Sequence, residues 1–93
     1  MTGGTPKNFL ERLYSCQDTV FIYHGIKYWF QGYMPDDESV RMEIFQYQPP
    51  EEGYIWFCEG KSIEECLEAF QSADIFENLC FWDAEQEIEW VDE

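Results

Sequence analysis

The sequence predicts an α+β domain: an N-terminal helix, a four-stranded antiparallel meander sheet and two C-terminal helices packed on one sheet face. Three observations carry this. Two β-rich runs meet at His24-Gly25, turn-forming breaks at Pro35-Asp36-Asp37 and Pro49–Gly53 separate further strands, and Ser62-Ile63-Glu64-Glu65 opens an amphipathic stretch. Ninety-three residues give room for one core, so residues 1–93 form a single domain with a flexible segment at 1–5. The chain holds 8 Phe, 6 Tyr and 4 Trp, enough large apolar side chains to repay the entropy of ordering it.

The elements follow in order. Thr5-Pro6 is an N-cap with a first-turn proline, and Phe9, Leu10, Leu13 and Tyr14 recur at helical spacing, predicting a helix over 6–15. In the next segment, TVFIYHGIKYWFQGYM, glycine accepts positive φ and histidine tolerates it, so a two-residue hairpin turn places Tyr23 opposite Ile26. That register sets Phe21 against Tyr28 and Thr19 against Phe30 on one face, with Ile22–Lys27 and Val20–Trp29 on the other. Neither face is cleanly polar. A third strand, 40–47, alternates Val40, Met42 and Ile44 with Arg41, Glu43 and Phe45, and a fourth runs from Tyr54 to Cys58. In the helix at 62–72, Ile63, Cys66, Leu67 and Phe70 form a narrow stripe suited to docking on a sheet. The closing segment reads two ways. As a helix over 81–92 it gathers Phe81, Ala84, Ile88 and Val91 on one face, with Cys80 in place of a Ser-like cap; as a strand, Glu87–Trp90 alternates. Its length without Gly or Pro favours the helix, against an acidic C-terminal end that opposes the helix dipole.

Charge is the next constraint. Residues 1–50 hold four Lys/Arg against six Asp/Glu, whereas residues 51–93 hold one against fourteen, so nearly all of the net −15 lies in the second half. Such a field repels nucleic acid and anionic lipid and steers basic proteins inward. Direct nucleic-acid binding is therefore not expected, since phosphate affinity depends on Lys and Arg. No leading stretch resembles a signal peptide and no apolar run approaches the about 18 residues of a membrane span, so a cytoplasmic location without membrane association is expected. In that setting Cys16, Cys58, Cys66 and Cys80 are reduced thiols, and their spacing with a single histidine makes no zinc motif.

No catalytic constellation emerges. His24 reads as a solvated turn residue, and the acids near Cys58 and Cys80 would raise a thiol pKa, opposing nucleophilic use. Calcium-loop and phosphate-loop patterns are missing, and neither metal nor cofactor is expected. Binding to a macromolecule is the remaining class. A core this small can scarcely enclose Trp29, Trp56, Trp82 and Trp90 together. Trp29, Trp82 and Trp90 are the candidate anchors, with Glu85, Glu87 and Glu89 as the acidic rim.

The hairpin Phe21-Ile22-Tyr23-His24-Gly25-Ile26-Lys27-Tyr28, the helix start Gly60-Lys61-Ser62-Ile63-Glu64-Glu65 and the terminal Glu87-Ile88-Glu89-Trp90 resemble small uncharacterised acidic proteins of Gram-positive bacteria. The resemblance spans most of the chain, implies no established activity and carries over no functional residues. The function expected from the residues is noncatalytic: a small acidic binding or regulatory module for a basic protein partner. The alternative is a nucleic-acid mimic that occupies a DNA- or RNA-binding cleft. The exposed sheet face would also permit a homodimer.

Overall fold

A computed structural model describes residues 1–91. Its elements are α1 (Pro6–Tyr14), β1 (Thr19–Tyr23), β2 (Ile26–Asp36), β3 (Ser39–Gln48), β4 (Trp56–Gly60), α2 (Ile63–Ser72), α3 (Phe81–Ala84), a 3-10 turn (Glu85–Glu87) and β5 (Ile88–Val91). The α+β class and the antiparallel sheet agree with the sequence. The sheet, however, has five strands in the order β4-β3-β2-β1-β5, not four.

Local chemistry explains most elements. Thr5 caps α1 by accepting from the Asn8 amide, and Pro6 occupies the first turn, where its missing N–H costs nothing. His24 and Gly25 take φ of 50° and 79°, the left-handed pair of a two-residue turn, and fix β1 on β2 with Phe21 opposite Tyr28 and Thr19 opposite Phe30. The capping box forms at α2: Ser62 Oγ accepts from the Glu65 amide, and Glu65 Oε2 reaches back to the Lys61 amide.

The tail corrects the expectation. The helix expected over 81–92 stops at Ala84, the chain passes through the 3-10 turn, and β5 pairs antiparallel with β1, Ile88 opposite Tyr23 and Trp90 opposite Phe21. Asp92 lies outside the described residues. Two forces decide this. A longer helix would stack carboxylates at its own negative end, whereas the strand satisfies the otherwise bare edge of β1 and buries Ile88. Cys80 occupies the N-cap position of α3 without making a side-chain cap bond; its thiol donates to Asp83 instead.

The segment read as flexible meets the outer edge of β5. Thr2 N–H donates to the Ile88 carbonyl at 3.0 Å, and Trp90 N–H donates to the Thr2 carbonyl at 2.8 Å. Gly3 and Gly4 make that approach feasible, because a Cβ on either would collide with the backbone or ring of Trp90.

All three helices lie on one sheet face. Phe9 of α1 stacks on Phe81 of α3 and meets Phe21 and Trp90 edge-on. Phe70 of α2 is fully buried among Trp56, Phe76 and Phe81, and the floor beneath them is Phe30, Met42 and Ile44. Among the described residues the opposite face carries no helix.

Candidate functional site

On the helix side, α1 and α2 turn their second faces outward to make a groove. Lys7, Leu10, Glu11 and Tyr14 fall at i, i+3, i+4 and i+7 of α1, the edge left after Phe9 and Leu13 are buried. Leu67 of α2 and Trp82 of α3 complete the lining of an open depression of about 340 Å³. Its floor is apolar. Its α2 rim carries Glu64, Glu68 and Gln71, which helical spacing places on one edge.

Two hydrogen bonds hold the walls. Tyr14 OH donates to Glu64 Oε1 at 2.8 Å, joining α1 to α2, and the Trp82 indole N–H donates to Gln71 Oε1 at 2.9 Å. Trp82 also meets Phe81 edge-on, yet remains 51% exposed. The groove therefore offers a positioned, half-open indole at one end and carboxylates on both edges, Glu11 on α1 and Glu64 and Glu68 on α2, against the single ammonium of Lys7.

The six residues singled out in the sequence do not converge. Trp82 lies in the groove, Trp90 packs against Phe9 on the helix side of the sheet, and Trp29 lies on the uncovered face against Phe45. Glu89 sits on β5 opposite Ile22, also on the uncovered face. Glu85 accepts from the Met1 amino group at 3.2 Å, and Glu87 is bound to His24. These carboxylates form no common rim.

His24 is an exposed turn residue, as the sequence suggests, but it is not without partners. Its Nδ1 lies 2.6 Å from Glu77 Oε2, its Nε2 lies 2.9 Å from Glu87 Oε1, and its ring stacks on Tyr23 at 4.0 Å. Glu77 reaches it because Glu77 and Asn78 both take positive φ, closing the tight Phe76–Leu79 turn. The Glu87 hydrogen bond raises the imidazole pKa, partial burial opposes it, and Glu77 raises it further. A raised folded pKa contributes stability that is complete below the unfolded value of about 6.5 and disappears as pH climbs through the folded value. The unfolding midpoint of the wild type should therefore fall between neutral and alkaline pH. A His24→Asn variant, which keeps a residue tolerant of positive φ, should lose that slope; equal slopes in the two proteins would refute the assignment.

Burial works against nucleophilic use of Cys16 and Cys66. All four are free; burial pushes Cys66 up to about 12 and also raises Cys16. Among the described residues no group of three His, Cys, Asp or Glu side chains is placed to hold a metal ion, and no helix is long and apolar enough to cross a membrane.

A polar centre on the uncovered face escaped the sequence reading. Glu43 is only 2% exposed and accepts from Gln31 Nε2 at 2.6 Å, Arg41 Nε at 2.5 Å and Tyr33 OH at 3.4 Å. The Arg41 guanidinium in turn lies over the rings of Phe57 and Tyr54, 4.5 and 5.3 Å from their centroids. The one signal available in sequence was an Arg and a Glu two residues apart on the same side of a strand, amid aromatics.

Comparison with protein-family models, with curated proteins and with solved structures found no match, so the functional reading rests on this geometry.

Proposed function

We propose that the protein is a noncatalytic acidic binding module whose helix-side groove receives an amphipathic segment of a basic protein partner. The observation that carries this is Trp82, an exposed indole held in place at the end of an apolar groove edged by carboxylates on both helices. Rigid aromatic anchors dominate binding energy, and acidic rims steer and orient cationic partners. The net charge of −15 extends that steering over the whole molecule. An apolar floor that includes Leu10 and Leu67, edged by carboxylates, is complementary in chemistry to a helix with apolar residues at i, i+3 and i+4 and Lys or Arg flanking them.

Mimicry of nucleic acid has less support. It needs a row of free carboxylates, and of the three candidates Glu85 is engaged by the Met1 amino group, Glu87 by His24, and Glu89 points from a different face.

The test compares variants in a pull-down from the source cell's lysate. Wild type and Trp29→Ala should retain the same basic protein, Trp82→Ala should lose it, and a Glu11→Gln/Glu64→Gln/Glu68→Gln variant should retain less at low salt. Trp82→Ala should weaken binding by about 2 kcal/mol or more while costing only about 1 kcal/mol of fold stability, because half the ring is already in water. Equal retention by wild type, Trp82→Ala and the triple variant would refute the proposal.

A further inference from the structure

We infer that the uncovered sheet face is the contact surface of a homodimer, a surface separate from the groove. An antiparallel sheet with one face in water ordinarily alternates apolar inward and polar outward. This sheet does not. Trp29, Phe45, Tyr54 and Phe57 form a continuous chain of rings across the uncovered face, with successive centroids 5.5, 4.9 and 5.6 Å apart, and Val20 stands opposite Trp29 on β1. Tyr54 and Phe57 are 47% and 54% exposed.

The polar centre of the face identifies the occupant. Glu43 already accepts from Arg41, Gln31 and Tyr33, so covering the centre of the face strands no unpaired charge there, and the exposed Glu59 and Glu89 lie towards its edge strands. For the same reason the centre has no free carboxylate to offer a basic protein. The strand register places Lys27 and Arg41 on this face with Glu43, Glu59 and Glu89, two cations against three carboxylates in a chain of net charge −15. It is a surface on which two copies can meet without opposing large excesses of acid. What it lacks is a neutral aromatic counterpart, and a second copy brought in by a two-fold axis supplies one.

The area suffices. Strands of four to eleven residues, five abreast, give roughly 500 Å² per copy at about 4.8 Å between strands and about 3.3 Å per residue, which meets the about 1,000 Å² total of a specific interface.

Sedimentation equilibrium between about 1 μM and 1 mM, the affinity range such an interface gives, tests this. The mass should rise from 11.2 kDa towards twice that value with concentration. The dimer should tighten as salt is added, because screening relieves the repulsion between two acidic chains. Phe57→Glu, at an exposed position, should weaken association by about tenfold or more by setting like charges against each other, and Tyr54→Glu should do the same if the first variant folds poorly by circular dichroism. Trp82→Ala should dimerise as the wild type does, which keeps this result distinguishable from failure at the groove. A mass of 11.2 kDa throughout at high salt would overturn the inference, as would a dimer that both face variants leave intact or that Trp82→Ala disrupts.

Discussion

Phe70→Ala is expected to lower the stability of the fold by about 3–5 kcal/mol, the range for truncating a fully buried aromatic residue. Phe70 is the ring on which the helix layer closes. Its centroid lies 5.4 Å from Phe81, 5.7 Å from Trp56 and 6.2 Å from Phe76, so one truncation removes contacts to α3, to β4 and to the loop after α2. Aromatic pairs of this geometry add about 0.5–1.5 kcal/mol each beyond the area they bury. A domain of this length has about 5–14 kcal/mol in all, so the loss is a large share of it. Thermal unfolding should move down by roughly 15–30 °C. Urea titration should show the loss as a lower midpoint with an unchanged slope. A change below about 1.5 kcal/mol would mean that the site collapses around the gap and that the helices are not keyed by this ring.

Glu43→Ala should cost about 2–4 kcal/mol at neutral pH, although its position is on a face that no helix covers. The loss comes from the partners. With the carboxylate gone, the Arg41 guanidinium, 19% exposed, and the Gln31 amide lose their acceptor under the surrounding rings. Replacing both charges, Glu43→Leu with Arg41→Met, should recover much of the loss, since neither unpaired charge remains. The pH dependence gives an independent reading. Burial pushes the Glu43 pKa up, but the hydrogen bonds from Arg41 and Gln31 outweigh it and hold the carboxyl below its usual range. A lowered folded pKa contributes stability that is present above the unfolded value of about 4.3 and lost as pH falls through the folded one. The acid limb of the stability curve should therefore be shallower in Glu43→Ala than in wild type. Equal acid limbs would show that Glu43 is not held as an ion.

Elements whose signal is local were legible in the sequence. The hairpin register follows from His24-Gly25 alone, because a two-residue turn fixes every cross-strand pair after it. The start of α2 follows from Ser62 and Glu65, two groups that satisfy nearby amides whatever the rest of the chain does. The tail was illegible for the opposite reason. Ile88 and Trp90 alternate over four residues, too few to outweigh helical spacing, and the decisive partner, the free edge of β1, lies about 68 residues earlier. Thr2 then pairs with the outer edge of β5 from the far end of the chain.

The sites divide along the same line. Trp82 could be picked out as a bulky side chain in an acidic segment, but its groove exists only because α1 and α2 lie side by side, a contact between residues 50 apart at Tyr14 and Glu64. Glu43 depended on the pairing of β2 with β3, in which Gln31 stands opposite Glu43 and Tyr33 opposite Arg41. No spacing within either strand reports that pairing.

The four tryptophans sample the account's division of the surface between groove and sheet face: Trp82 in the groove, Trp29 on the uncovered face, Trp56 and Trp90 packed on the core. The most direct measurement is a two-dimensional NMR spectrum of their indole N–H groups, recorded on dilution and then during titration with a synthetic amphipathic helix of Lys and Leu. The peptide should move the Trp82 signal, dilution should move the Trp29 signal, and Trp56 and Trp90 should hold their positions through both. A peptide that shifts Trp29 and leaves Trp82 unmoved would contradict this division of the surface.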